Sequence, residues 1–131
     1  MVSVFVYGTL LTGERNHRVG APYLLSVRSG RVRGRLYDVG AYPALVLDDS
    51  AGEVDGEWFE ITDEGLEEMD WLEGYRGPGQ ENHYERVWVR DSREDLEGWI
   101  YVWPDSRGYP EIPMGSWREW RSARKAGALH G

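Results

Sequence analysis

The stretch Val2-Ser3-Val4-Phe5-Val6-Tyr7-Gly8-Thr9-Leu10 opens the chain with an apolar segment that breaks at a glycine. Valine stands at every second position from 2 to 6, a period of two that predicts a half-buried β-strand. Gly8 lets the backbone turn through angles that other residues avoid, and it lets a ligand approach closely. The amides of this turn can then face outward together and hold a carboxylate or a developing oxyanion. A plain strand-to-loop turn is the alternative that this stretch alone leaves open.

Short, closely spaced strand candidates follow the opening segment. They are separated by turns such as Ser29-Gly30 and residues 48–52. The candidates cover residues 23–27, 31–37, 42–47, 53–61, 84–90 and 98–103. The polar segment 12–20 is predicted to be a loop with at most one helical turn.

Two helices are predicted from their end signals. The first covers residues 63–73, because Thr62 or Asp63 can cap its start and Gly74 follows its end. The second begins near Ser116, with a glutamate three residues later in a capping box. So few helices exclude a doubly wound sheet, in which strands and helices alternate. The pattern favours a small, mostly antiparallel barrel or a strongly curled sheet with flanking helices.

The composition excludes several classes of function. The 131 residues fit one domain, and the net charge of −8 disfavours nucleic acid, because phosphate backbones select basic surfaces. Cysteine is absent, so disulfides and thiol chemistry are excluded. No apolar run approaches the roughly 18 residues that span a bilayer, and no segment resembles a signal peptide. We therefore expect a cytoplasmic protein without membrane contact.

Standard metal and cofactor motifs are missing from the chain. The single lysine, Lys125, belongs to no phosphate-binding loop. His17, His83 and His130 are scattered, without the spacing to Asp or Glu that is typical of a metal site. We expect neither a metal nor a cofactor.

Glu73 stands in an unusual place for a carboxylate. It is the last residue of the predicted helix 63–73, where the partial negative charge of the helix end disfavours an ionised acid. Burial there would raise its pKa in the same direction, towards a range where it can both accept and return a proton. A solvated glutamate, or one paired with Arg76 or Arg86, is the alternative.

Tyr84 and Arg86 share one face of their predicted strand because side chains alternate with period two. Tyr84 can hydrogen-bond a substrate, and Arg86 can anchor an acidic group or the preceding loop. Both residues can instead serve only to close the rim of the barrel.

Several short motifs occur together in a characteristic order. They are Tyr7-Gly8-Thr9-Leu10, Asn16-His17-Arg18, Tyr42-Pro43, Leu72-Glu73-Gly74-Tyr75, Tyr84-x-Arg86 and Gly115-Ser116-Trp117. In order and spacing they resemble the γ-glutamylcyclotransferase-like family, and most closely its small members that are similar to γ-glutamylamine cyclotransferase and the plant avirulence-induced proteins. The resemblance covers nearly the whole chain.

The resemblance implies an α+β fold: a small mixed, mostly antiparallel β-barrel with two or three flanking helices and a pocket at one end, as a single domain over residues 1–131. It implies that the backbone of Tyr7, Gly8, Thr9 and Leu10 binds a glutamyl group and that Glu73 is the catalytic acid and base. The implied reaction is closure of a γ-glutamyl group to 5-oxoproline, with release of an amine or amino acid and without metal or cofactor. We expect a monomer or weak homodimer that acts on a small γ-glutamyl substrate.

Two rival functions stay open at this stage. The seven Trp and eight Tyr residues can fill a core, or they can form platforms for a sugar or small metabolite in a barrel of the same fold that lacks catalysis. A glycosidase is the weaker rival, because it needs two carboxylates across a cleft. The position of Glu73 relative to the Gly8 turn distinguishes these functions.

Overall fold

The computed structural model describes the backbone of residues 1–130 and the side chains of residues 1–126. Its strands are β1 (Val2–Val6), β2 (Leu24–Asp38), β3 (Pro43–Leu47), β4 (Glu53–Ile61), β5 (Glu85–Arg90) and β6 (Glu97–Val102). Its helices are α1 (His17–Gly20), α2 (Asp63–Glu73) and α3 (Trp117–His130), with a short 3₁₀ turn at Ala21–Tyr23. None of the helices among these residues is long and apolar enough to cross a membrane.

The six strands form one mixed sheet in the order β3-β2-β4-β1-β6-β5. The pair β1–β6 is parallel, and the other pairs are antiparallel. The Trp103 amide after β6 donates to the Leu45 carbonyl of edge strand β3 at 3.0 Å, which curls the sheet into a half-barrel. The predicted fold class, a small mixed and mostly antiparallel barrel with two or three flanking helices, is confirmed.

Strand β1 lies at the centre of the sheet and is buried on both faces. Val4 and Val6 pack in a core with Met69 of α2, whereas Phe5 packs on the opposite face in a core with Trp117 of α3. The prediction of a half-buried strand was therefore wrong. The residues on the two faces of β1 are largely apolar in both cases. Their alternation along the sequence does not reveal that each face packs against a separate part of the core.

Strand β2 runs without interruption through Ser29-Gly30, where the sequence predicted a break between two strands. A Cβ atom on Gly30 would lie 2.4 Å from Trp58 Cδ1 and 2.7 Å from Asp91 Oδ2. Asp91 in turn accepts hydrogen bonds from the Trp58 indole (2.8 Å) and the Arg31 amide (2.9 Å). Glycine is needed here for close packing inside a strand and does not mark a turn.

Helix α2 has the predicted bounds and the predicted caps. The Thr62 hydroxyl accepts from the Gly65 amide at 3.2 Å, and Gly74 adopts a left-handed conformation with φ of 66° just past the last turn. Such a glycine ends a helix without the steric cost of a Cβ atom. This end places Glu73 beside the sheet, because the Tyr84 amide donates to the Glu73 carbonyl at 3.3 Å.

The contact at Gly30 yields a stability prediction. Gly30→Ala forces a methyl group against Trp58 and Asp91, and we expect it to lower the free energy of unfolding by about 1–3 kcal/mol. Gly52→Ala is the matched control, because a Cβ atom on Gly52 meets no atom within 4 Å among the described residues. Urea denaturation of both variants measures the difference. Equal stability of the two variants would contradict this packing role.

Candidate active site

A cavity of about 270 Å³ opens where β1 ends against the start of β3 and the last turn of α2. Buried residues form the bottom of the cavity, and one side of it is open to solvent. The residues that line it are Phe5, Val6, Tyr7, Gly8, Thr9, Leu10, Arg15, Asn16, Tyr42, Pro43, Leu72, Glu73, His83, Tyr84 and Tyr101. The Gly8 turn and Glu73, which are 65 residues apart in the chain, thus line the same cavity.

The Gly8 turn is held in place by the segment that follows it. The Asn16 side-chain amide donates to Thr9 Oγ1 at 3.0 Å, and the Leu10 carbonyl is 3.0 Å from His17 Nδ1. Among the described residues, the backbone amides of Gly8, Thr9 and Leu10 donate to no protein acceptor. Buried amides without a partner are costly. These three therefore form a group of donors that a ligand oxygen can satisfy.

Glycine at position 8 has a different cause from the one predicted. Gly8 is not among the residues with positive φ, so the turn does not need angles that other residues avoid. A Cβ atom would instead lie 2.7 Å from Pro43 Cγ. The glycine lets the turn pack against β3 and form part of the cavity wall.

Glu73 lines the cavity with its side chain largely buried, and the residue as a whole is partly exposed. Burial raises its pKa to about 7. It makes no hydrogen bond or ion pair with any described residue. The alternative pairing with Arg76 or Arg86 is absent, since the Arg86 guanidinium bonds Asp70 instead, with Nη1 2.6 Å from Oδ2.

Three buried tyrosines surround Glu73, and each hydroxyl already donates to the protein. The acceptors are the Tyr101 carbonyl for Tyr7 (2.6 Å), the Pro43 carbonyl for Tyr84 (2.7 Å) and Asp70 Oδ1 for Tyr101 (2.6 Å). Burial raises the pKa of each tyrosine, and the nearby Glu73 charge raises it further. These hydroxyls therefore remain protonated, and a substrate can only donate to them.

Six of the seven predicted site residues line the cavity, and Arg86 does not. The six are Tyr7, Gly8, Thr9, Leu10, Glu73 and Tyr84. The Arg86 guanidinium lies between the rings of Tyr75 and Trp99, 4.8 and 4.6 Å from their centroids, and is bound to Asp70. Arg86 therefore does not contact the cavity itself. It is connected to the cavity through Asp70, which accepts a hydrogen bond from the hydroxyl of the lining residue Tyr101.

Several cavity residues were not among the predicted site residues. Asn16 and Tyr42 belong to motifs of the family resemblance, which could have indicated them, and Tyr42 shares a 3.0 Å hydrogen bond with His83. Tyr101 and Arg15 carry no local signal, because a strand tyrosine and a loop arginine are ordinary residues. Among the described side chains, no group of three His, Asp or Glu residues is arranged to hold a metal ion, and the His130 side chain lies outside them.

Solved structures share this architecture. YkqA from Bacillus subtilis superimposes with a TM-score of 0.74 and is 25% identical, over 95% of this chain and 42% of that chain. This chain thus spans less than half of the YkqA chain. An AIG2-like protein from Mus musculus has the same fold, with a TM-score of 0.64 and 24% identity over 86% of each chain.

The amino-acid sequence of this chain is similar to that of a relative and matches the model of a family. A relative named gamma-L-glutamyl-butirosin B gamma-glutamyl cyclotransferase, from Niallia circulans, is 37% identical over an alignment of 131 positions that covers 97% of this chain and 82% of the relative. The model of the family described as gamma-glutamyl cyclotransferase, AIG2-like, matches residues 4–119, from β1 into the first turn of α3. The motifs that line or support the cavity lie within this range, and the chain belongs to the gamma-glutamyl cyclotransferase, AIG2-like family.

Proposed function

We propose that this protein closes a γ-glutamyl group to 5-oxoproline and releases an amine or amino acid, with Glu73 as the proton shuttle. The observation that carries the proposal is the largely buried Glu73 carboxyl, which has no partner among the described residues and lines the same cavity as the free amides of the Gly8 turn. The family assignment and the relative named as a cyclotransferase support a reaction of this type.

The proposed reaction needs few functional groups from the protein. The substrate α-amine attacks its own γ-carbonyl carbon, a new C–N bond closes the five-membered ring, and the bond to the leaving nitrogen breaks. Because nucleophile and electrophile belong to one molecule, proximity is supplied by the substrate. A carboxyl with a pKa of about 7 can take the proton from the amine and return it to the leaving nitrogen.

The Gly8 turn supplies the polar contacts of the proposed site. Its three unpaired amides can hold the substrate carboxylate or stabilise the oxyanion that forms when the γ-carbonyl is attacked. Tyr84 offers a lone pair to a substrate donor, since its own proton is bound to the Pro43 carbonyl. Arg86 enters the proposal as a positioning residue, because it holds Asp70 one turn before Glu73 on α2.

The rival functions receive less support from the structure. No tryptophan lines the cavity among the described residues, and Trp58, Trp103 and Trp117 are buried core residues rather than platforms for a sugar. Glu73 is also the only carboxylate that lines the cavity in this part of the chain, whereas a glycosidase needs two.

Removal of the proposed shuttle should abolish most of the activity. Glu73→Gln keeps the side-chain size but cannot transfer the proton, and we expect the rate of 5-oxoproline release to fall by about 10²- to 10⁴-fold. A panel of γ-glutamyl amines and dipeptides is the substrate set. Glu68→Gln, on the exposed side of the same helix, is the matched control and should retain the wild-type rate. Full activity of Glu73→Gln would remove Glu73 from the mechanism.

The pH dependence of the rate tests the base role of the same carboxyl. Only ionised Glu73 can accept the amine proton, so kcat/KM should rise with pH through about 7, and loss of a proton from the substrate α-ammonium group, whose ordinary pKa is about 8, extends the rise at higher pH. Rates measured from pH 5.5 to 8.5 provide the profile. A profile that is flat across this range would contradict a titrating Glu73 base.

The raised pKa also predicts a pH dependence of stability. The folded protein holds the Glu73 proton more tightly than the unfolded chain does, so ionisation between pH 5 and pH 8 destabilises the folded state. Glu73→Gln cannot ionise. Its free energy of unfolding, relative to wild type, should therefore increase by about 2 kcal/mol over this range, as measured in urea. A constant difference for Glu73→Gln would show that its carboxyl is not buried.

A further inference from the structure

The open side of the cavity is formed by Arg15, Tyr42, Leu72 and His83, here called the rim. These four residues are exposed or partly exposed, whereas Phe5, Tyr7 and most other lining residues are buried. The proposed catalytic carboxyl and the free amides mark the inner part of the cavity as the place of the glutamyl group. The group that leaves must then extend from the reacting carbon across the rim towards solvent.

The rim carries positive charge, although the chain as a whole is negatively charged. The protein carries a net charge of −8, yet the rim has no carboxylate, and its one guanidinium belongs to Arg15. His83 adds no charge at neutral pH, because burial and the nearby Arg107 lower its pKa. Arg15 thus carries the one guanidinium among the described residues that line the cavity, while Arg107, whose Nη2 donates to the His83 carbonyl at 2.9 Å, lies beside the rim over the Trp103 ring.

The neighbours of Arg15 in the chain already have partners. The adjacent Glu14 carboxylate is already bound by Arg121 and lies 3.8 Å from Arg118, both on α3. The adjacent Asn16 side chain is bound to Thr9. Among the described residues, Arg15 itself makes no hydrogen bond or ion pair. Helix α3 thus pairs with the Glu14 carboxylate, which leaves the Arg15 guanidinium available at the rim.

We propose that Arg15 is a specificity-determining residue that binds a carboxylate on the leaving group, so that the preferred substrates are γ-glutamyl amino acids rather than γ-glutamyl amines. This inference rests on the proposed function of the same site. A guanidinium forms paired, charge-assisted hydrogen bonds with a carboxylate, and an amine that lacks the carboxylate loses them. Because Arg15 is exposed, water weakens this contact, and a selectivity of up to about fivefold is expected.

The glutamyl carboxylate is the other group that Arg15 could bind, and the structure favours the leaving group. The three free amides of the Gly8 turn lie in the inner wall, where Gly8 and Leu10 are buried, and they offer the glutamyl carboxylate a site without Arg15. The two assignments differ in one measurable way. An Arg15 that bound the glutamyl carboxylate would affect every γ-glutamyl substrate equally.

The test uses two substrates that differ only in the carboxylate. In γ-glutamyl-L-alanine the leaving group carries it, and in γ-glutamyl-ethylamine it is replaced by hydrogen. We expect wild-type kcat/KM for 5-oxoproline release to favour the alanine compound up to about fivefold, and Arg15→Gln to abolish this preference while changing the ethylamine rate less than about 1.5-fold. Arg18→Gln is the matched control, because Arg18 is exposed in the same segment and does not line the cavity. It should keep the preference.

Two outcomes overturn the inference while the proposed function stands. One is wild-type turnover of both compounds without preference, and the other is an equal loss on both compounds in Arg15→Gln. Absence of 5-oxoproline from both compounds would instead overturn the proposed function. Calorimetric binding of the two compounds to Glu73→Gln, with and without Arg15→Gln, then still tests Arg15, and equal affinities for both compounds would overturn its role.

Discussion

The hydroxyl of Tyr7 ties three strands together beneath the cavity. It donates to the Tyr101 carbonyl of β6 at 2.6 Å and accepts from the Leu45 amide of β3 at 3.2 Å, while Tyr7 itself directly follows β1. These bonds connect the central strand to a neighbour and to the far edge of the curled sheet. Because the next residue is Gly8, the same contacts fix where the turn with the unpaired amides begins. The cavity depends on this connection, since its walls come from all three strands.

The chemistry of the cavity depends on what is already paired there. The hydroxyls of Tyr7, Tyr84 and Tyr101 each donate to a protein acceptor, so none of them stabilises the Glu73 charge with a hydrogen bond. Asp70, one turn earlier on α2, has Arg86 as its partner, while Glu73 has none among the described residues. Burial without compensation raises the pKa of Glu73 to about 7. Of these two carboxylates on one helix, only Asp70 has a cation as its partner among the described residues.

Local signals predicted much of the fold. The bounds of β4 and α2 follow from a run of strand-forming residues and from cap residues, which act through neighbours in the chain. The break predicted at Ser29-Gly30 was wrong, because Gly30 leaves room for Trp58 on the adjacent strand and does not form a turn. The half-buried character predicted for β1 was wrong for a similar reason. Whether a second face is covered depends on where α2 and α3 pack.

The sequence by itself determined the element types, the family and the candidate residues Glu73 and Tyr7 to Leu10, because caps, periodicity and motif order are properties of neighbouring residues. Only the tertiary structure decided which of these residues meet. It brought Glu73 to the Gly8 turn, paired Arg86 with Asp70, and bound Glu14 to α3, so that Arg15 stands at the rim without a partner among the described residues. Burial and charge pairing arise between segments far apart in the chain, so the pKa of Glu73 and the charge of the rim could not be read from either segment alone.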